Sequence, residues 1–261
     1  MFAVSHFSMV GFDFPIESSA EVGPWAGKFM RTCKATPLNP SDVLCIISDP
    51  SGADLRIALR RKGQAADIIT INPGFSGEGR TSIEVVADNS DPDFAPFEIG
   101  VAARFAGEQT PLILDLADPT QAAAFKPGAK LTVDIAAFSF EPDVFPDEAA
   151  FYAAQTKANS KVRLAANYFI PSGSFFERAG GAMANDARRP VAYADFAGKV
   201  LKIGHRANVA SGKHDFVWAV VQTYDGATLD VVMDTSTLRT EPKVGGIIAG
   251  RFWLSARVAP S

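Results

Sequence analysis

The sequence predicts a mostly β protein, α+β overall, with an N-terminal helix and antiparallel meander followed by two related β units. Three observations predict it. Short strand-like runs recur along the whole chain between turn formers. The 17 prolines and 21 glycines are spread rather than clustered, which suits many tight turns. The order of strands and turns over residues 79–145 returns over residues 198–261, as in a duplicated unit.

Residues 1–78 read as an α+β module. Ser18-Ser-Ala-Glu21 has the spacing of a capping box, and Trp25, Phe29 and Met30 then fall at helical spacing. The Gly23-Pro24 pair makes this helix either short or one that begins at Pro24. Three strand-like runs follow, over residues 43–48, 53–60 and 68–71. The second alternates, placing Leu55, Ile57 and Leu59 inward and Asp54, Arg56 and Arg60 outward. Asn72-Pro-Gly-Phe-Ser-Gly-Glu-Gly79 reads as a linker, because turn formers dominate it.

The first β unit, residues 79–145, has a strand from Thr81, a polar turn over residues 88–93 and an apolar strand over residues 97–105. A strand over residues 112–118, a short Ala-rich helix and a closing strand over residues 131–140 complete it. A connector over residues 146–197 opens with a helix. Asp147 and Glu148 occupy its first turn, where the dipole favours anions, and Phe151, Tyr152 and Gln155 share one face. Residues 164–170 suggest a further strand, and residues 172–189 a long loop carrying Arg178, Arg188 and Arg189. The second β unit, residues 198–261, repeats the pattern with strands over residues 199–203, 216–224, 229–234 and 247–255.

That element order resembles the oligonucleotide/oligosaccharide-binding (OB) barrel, a five-stranded Greek key with a short helix before its final strands. The resemblance implies barrel or sandwich units, and the duplication with its opposite charges suggests a ligand in the groove between them or beside the loop over residues 172–189. In the second unit, Thr223-Tyr-Asp-Gly and Gly250-Arg-Phe-Trp-Leu-Ser are also similar to uncharacterised bacterial sequences, a likeness that implies no activity.

Composition narrows the function classes. A 47% hydrophobic chain with 20 phenylalanines has ample material for a core, and a net charge of -4 creates no bulk attraction for nucleic acid or anionic membrane. The charge is unevenly placed: residues 79–145 carry 4 Lys+Arg against 11 Asp+Glu, and residues 146–261 carry 14 against 10. This reads either as drift along solvated faces or as self-complementary surfaces that dock, which leaves a homo-oligomer open. Cys33 and Cys45 fit no metal or redox spacing, and Cys45 lies in an apolar run as a core residue. The apolar N-terminus lacks a basic region, so a cytoplasmic protein without membrane partners is expected.

The chemistry-bearing candidates are few. Trp218, Tyr224 and Trp253 in the second unit, beside Lys199, Arg206 and Arg251, could stack bases and hold phosphates. The same aromatics could equally fill a barrel, and the acidic first unit argues against a continuous nucleic-acid track. Asp230 with Asp234, and Asp115 with Asp118, could hold a cation or serve as acid and base. Asp118 and Asp234 also fit helix N-caps. No nucleophile elbow, phosphate loop or cofactor motif occurs, so no catalytic residue, metal ligand or cofactor is expected. The sequence therefore points to a non-catalytic binding or interaction module for a protein or small polymer. Its expected ligand residues are those aromatics and cations with Arg178, Arg188 and Arg189. Single-stranded nucleic-acid binding and a metal-dependent hydrolase are the alternatives.

Overall fold

The computed structural model describes residues 6–14, 19–92, 95–158, 162–172, 191–212 and 214–260. Ser18 of the capping pair and Arg178, Arg188 and Arg189 of the loop lie outside the described residues. The protein is mostly β: a four-stranded antiparallel sheet with an N-terminal helix, then a closed eight-stranded barrel.

Helix α1, Ser19–Phe29, holds Pro24 in its interior rather than starting there. The lost backbone bond is offset by burial of Trp25, Ala26 and Phe29, with Trp25 packed edge-on against Phe14 and Phe29. The sheet runs in order through β1 (Lys34–Pro37), β2 (Asp42–Ser48), β3 (Ala53–Lys62) and β4 (Ala65–Phe75). A bond between Cys33 and Cys45, with Cα atoms 5.5 Å apart, ties the end of the helical segment to β2. Cys45 is buried as expected; its pairing was not legible from a spacing of twelve.

Two sequence expectations fail in this sheet for one reason. β4 continues through Asn72-Pro-Gly-Phe75, the expected linker, pairing these residues with residues 53–56 of β3. Asp54 and Arg56, expected outward, are buried. Arg56 Nε donates to Asp54 at 2.8 Å, and Arg257 from the last strand donates to Asp54 at 2.7 Å. The alternation therefore marks a sheet covered on both faces. Gly74 makes the cover possible, since a Cβ there would lie 1.6 Å from Arg56 Nη2 and 2.1 Å from Asp54 Oδ1.

The barrel comprises β5 (Thr81–Asp88), β6 (Gly100–Phe105), β7 (Leu112–Leu116), β8 (Lys130–Ser139), β11 (Tyr193–Asn208), β12 (His214–Gln222), β13 (Thr228–Asp234) and β14 (Ile247–Val258). Between β8 and β11 come β9 (Asp143–Phe145), α2 (Glu148–Lys157) and β10 (Phe169–Pro171). Asp147 caps α2 by accepting from Ala150 N, and Gln155 both donates to and accepts from the Leu164 backbone. The expected strand over residues 164–170 is shorter and later.

The ring closes as β5-β6-β7-β14-β11-β12-β13-β8 and back to β5. The β7–β14 and β13–β8 joints are parallel; the others are antiparallel. β8 and β14 also pair with each other, so the ring is pinched across its middle. The third strand of each β segment thus pairs with the last strand of the other, and the two segments close the ring jointly.

Two main cores result. One fills the ring, with Phe196, Phe252, Leu254, Ile135 and Met233 among its fully buried members. The other lies between the ring's outer face and the N-terminal module, joining Phe12, Trp25, Leu55 and Phe75 to Phe138, Phe216 and Trp218. Burial of each such side chain stabilises by about 1.5–3 kcal/mol, which joins module and barrel firmly. Among the described residues, no helix is long and apolar enough to cross a membrane.

Candidate functional site

A row of four residues crosses the pinch. Asp115 on β7 stands beside Ser255 on β14, Ser255 beside Ala136 on β8, and Ala136 beside Asp230 on β13. The two aspartates hold matching places at the ends of the row, and each accepts an indole N–H. Trp253 donates to Asp115 at 2.6 Å and Trp218 donates to Asp230 at 2.7 Å.

The ends differ in what covers them. Asp230 is closed over by the segment after β4: Glu78 N and Gly79 N donate to its carboxylate at 2.9 and 3.0 Å. A Cβ on Gly77 would sit 2.2 Å from Asp230 Oδ1, so the glycines that resembled a linker wrap this carboxylate. Burial raises its pKa, against the pull of those donors. Among the described residues Asp115 meets no such clasp. It borders a cavity of about 210 Å³ where the sheet meets the barrel.

Six polar residues line that cavity: His6, Arg56, Asn72, Glu98, Asp115 and Ser255. Trp253 and Phe97 supply aromatic wall. β3 delivers Arg56, β4 delivers Asn72, β7 delivers Asp115, and β14 delivers Trp253 and Ser255 on one face by its period of two. His6 packs against Trp253 and Phe140, with ring centroids 4.8 and 4.6 Å away. Glu98 Oε1 accepts from Asn72 Nδ2 at 3.4 Å.

Three of these residues carry a buried polar atom with no hydrogen-bond partner among the described residues: His6 Nε2, Arg56 Nη2 and Ser255 Oγ. Such atoms cost about 1–3 kcal/mol each and are few in folded proteins, and all three belong to residues that line this cavity. Burial, with the negative charge of Glu98, pushes the Asp115 carboxyl up to about 6 against the indole bond that opposes it. Burial holds His6 down to about 4, so its imidazole is neutral near pH 7.

The residues expected to form a ligand surface are dispersed. Trp218 is 2% exposed and Trp253 9%, both in the second core; Tyr224 is 47% exposed. The cations over the Trp218 ring are Arg206 at 4.4 Å and Lys202 at 5.5 Å from its centroid. Arg206 also donates to Ser51 O, and Lys202 pairs with Glu78 at 2.6 Å. Arg251 pairs with both oxygens of Asp195 at 3.1 Å, and Lys199 is exposed on β11. The structure therefore gathers no stacking platform from these rings.

The carboxylate pairs do not act as pairs either. Asp118 accepts from Thr120 N and Asp234 from Ser236 N, the capping roles their positions suggested. Among the described residues no group of three His, Cys, Asp or Glu is placed to hold a metal ion.

Sequence reasoning missed His6, Arg56, Asn72, Glu98 and Ser255 as residues of this cavity. One signal was available: Arg56 lies between buried Leu55 and Ile57, on a strand whose neighbour supplies Asn72-Pro-Gly, small enough to cover it. No protein-family model matches the chain, and no curated protein matches it.

Proposed function

We propose that this protein is a non-catalytic binding module whose ligand occupies the cavity between the N-terminal sheet and the barrel. The observation that carries the reading is that six polar residues, two of them carboxylates, line one small cavity between the sheet and the barrel. A ligand bonded to these polar walls gains affinity from groups already partly desolvated and fixed. At about 210 Å³ the space lies below the range of about 300–1,000 Å³ typical of drug-sized ligands, so the ligand is small.

Non-catalytic fits the same geometry. Among the described residues no base is hydrogen-bonded to the Ser255 hydroxyl, and Asp115 is engaged by the Trp253 indole. Single-stranded nucleic acid has less support, because Tyr224 alone of the three named aromatics is exposed.

The test is thermal stabilisation by a panel of small sugars, carboxylic acids, amines and amino acids, run on the wild type and on Ser255→Met. Ser255 is buried at the cavity wall, and methionine fills space there. At least one class is expected to raise the melting temperature of the wild type alone. Equal shifts in both proteins would place the ligand elsewhere, and no shift in the wild type would remove the cavity as a ligand site.

A further inference from the structure

A second concavity, of about 210 Å³, lies beside the β6–β7 and β12–β13 turns. Phe105 ends β6 and Phe169 opens β10, and both rings line it. Gly107, at φ 91°, lets the chain reverse after Phe105, and Glu108 N donates to Phe105 O at 3.0 Å. That turn holds Glu108 beside the Phe105 ring.

Tyr224 comes from the other turn. Thr223 before it is buried; its hydroxyl donates to Ala197 O at 2.8 Å and lies 3.3 Å from Tyr168 O. Tyr224 and Phe169 therefore follow two residues already in contact. Phe169 is itself fixed, with the Phe105 ring edge-on at 5.0 Å and the Phe196 ring stacked at 5.5 Å between centroids. These groups have surface to offer a ligand: Tyr224 is 47% exposed, Phe169 and Glu108 are half-buried, and Thr110 is exposed. The lining thus holds three aromatic rings, one carboxylate and, among the described residues, no Lys, Arg or His.

We propose that this concavity binds a quaternary ammonium group of choline size, its methyls against Tyr224 and Phe169 and its charge answered by Glu108. The site is separate from the junction cavity, and neither reading depends on the other.

Other small ligands fit this lining less well. An anion meets the Glu108 carboxylate and the negative faces of the rings. A neutral apolar molecule covers the rings but leaves the carboxylate without a counter-charge. A primary ammonium carries three N–H donors and a tight hydration shell, and the aromatic wall cannot replace those waters. A quaternary ammonium has no N–H to satisfy and spreads its charge over methyls that pack on ring faces. The volume holds about seven water-sized groups at roughly 30 Å³ each, which matches choline.

The experiment is calorimetric titration of the full chain with choline and tetramethylammonium. Ethanolamine and the neutral carbon analogue of choline, with a tert-butyl group in place of the trimethylammonium, are the controls. Choline is expected to bind at least about tenfold more tightly than either control, a ratio of about 1.4 kcal/mol, within reach of a cation over an aromatic face beside one carboxylate. Tyr224→Ala and Glu108→Gln are each expected to weaken choline about fivefold or more, and Tyr224→Phe to keep it, since the ring face is retained. Tyr224 and Glu108 stand in surface turns, and an unchanged melting temperature confirms that these variants fold. Sedimentation with phosphatidylcholine vesicles separates a lipid-borne headgroup from a free ligand.

The neutral analogue binding as tightly as choline would overturn the role of charge, and ethanolamine binding as tightly would overturn the role of the rings. Choline affinity indifferent to both Tyr224→Ala and Glu108→Gln, or no heat from any quaternary ammonium, would overturn the site.

Discussion

Replacing Asp115 by asparagine is expected to stabilise the protein, and only above a defined pH. The carboxyl is held at about 6 in the folded chain against 3.8 in the open one. A group with a raised folded pKa contributes stability that is fully present below the unfolded value and lost as pH rises through the folded value. The difference of about two units corresponds to about 3 kcal/mol of penalty once the folded carboxyl has ionised. Glu98 adds to the penalty, Arg56 and neutral His6 share the cavity, and water entering it reduces the figure. Asparagine has no charge to desolvate and keeps an oxygen for the Trp253 indole. Urea denaturation of both proteins should show the variant more stable by up to about 3 kcal/mol near pH 8, with most of the difference gone near pH 4. A gap that does not change with pH, or a variant less stable at about pH 8, would refute the argument that this carboxylate is buried at a cost.

Other consequences follow from the same packing. Gly77→Ala should cost about 1–3 kcal/mol, because its Cβ would displace the Asp230 carboxylate from the Glu78 and Gly79 amides. Gly27→Ala, in a helix with nothing within 4 Å, should be neutral or slightly stabilising in the same denaturation series. Reduction of the Cys33–Cys45 bond, which closes a loop of about twelve residues, should lower stability by about 3 kcal/mol, read as a drop in melting temperature with reductant. Oligonucleotides at low salt should leave tryptophan emission unchanged, since Trp218 and Trp253 are covered; strong quenching would revive the stacking surface.

Much of the architecture was legible because period-two alternation and turn chemistry are local. The strands near residues 43–48, 81–88, 112–116 and 229–234 appear where the pattern placed them, and Asp118 and Asp234 cap the turns that follow them; Asp147, expected inside the first turn of its helix, caps it instead. What alternation could not supply was which faces would be covered. Arg56 looked solvated because it alternates with Leu55 and Ile57, yet packing beside the barrel closes both faces of its strand. Gly74, Gly77 and Gly79 looked like linker residues because glycine breaks strands; here they make room for buried side chains from other elements. The crossed pairing of β7 with β14 and β13 with β8 depends on contacts more than a hundred residues apart, which no local pattern carries. The cavity was illegible for the same reason, being assembled from six separate stretches of chain.

The most direct test is the indole N–H spectrum of the ¹⁵N-tryptophan-labelled protein, titrated with the compounds of the stabilisation panel. Trp253 donates to Asp115 at the cavity wall, whereas Trp218 donates to the matching Asp230 under its glycine clasp, so one protein contains both the reporter and its control. The resonance of Trp253 is expected to move to saturation while that of Trp218 stays in place. Movement of both resonances, or of neither, would contradict a ligand seated between the sheet and the barrel.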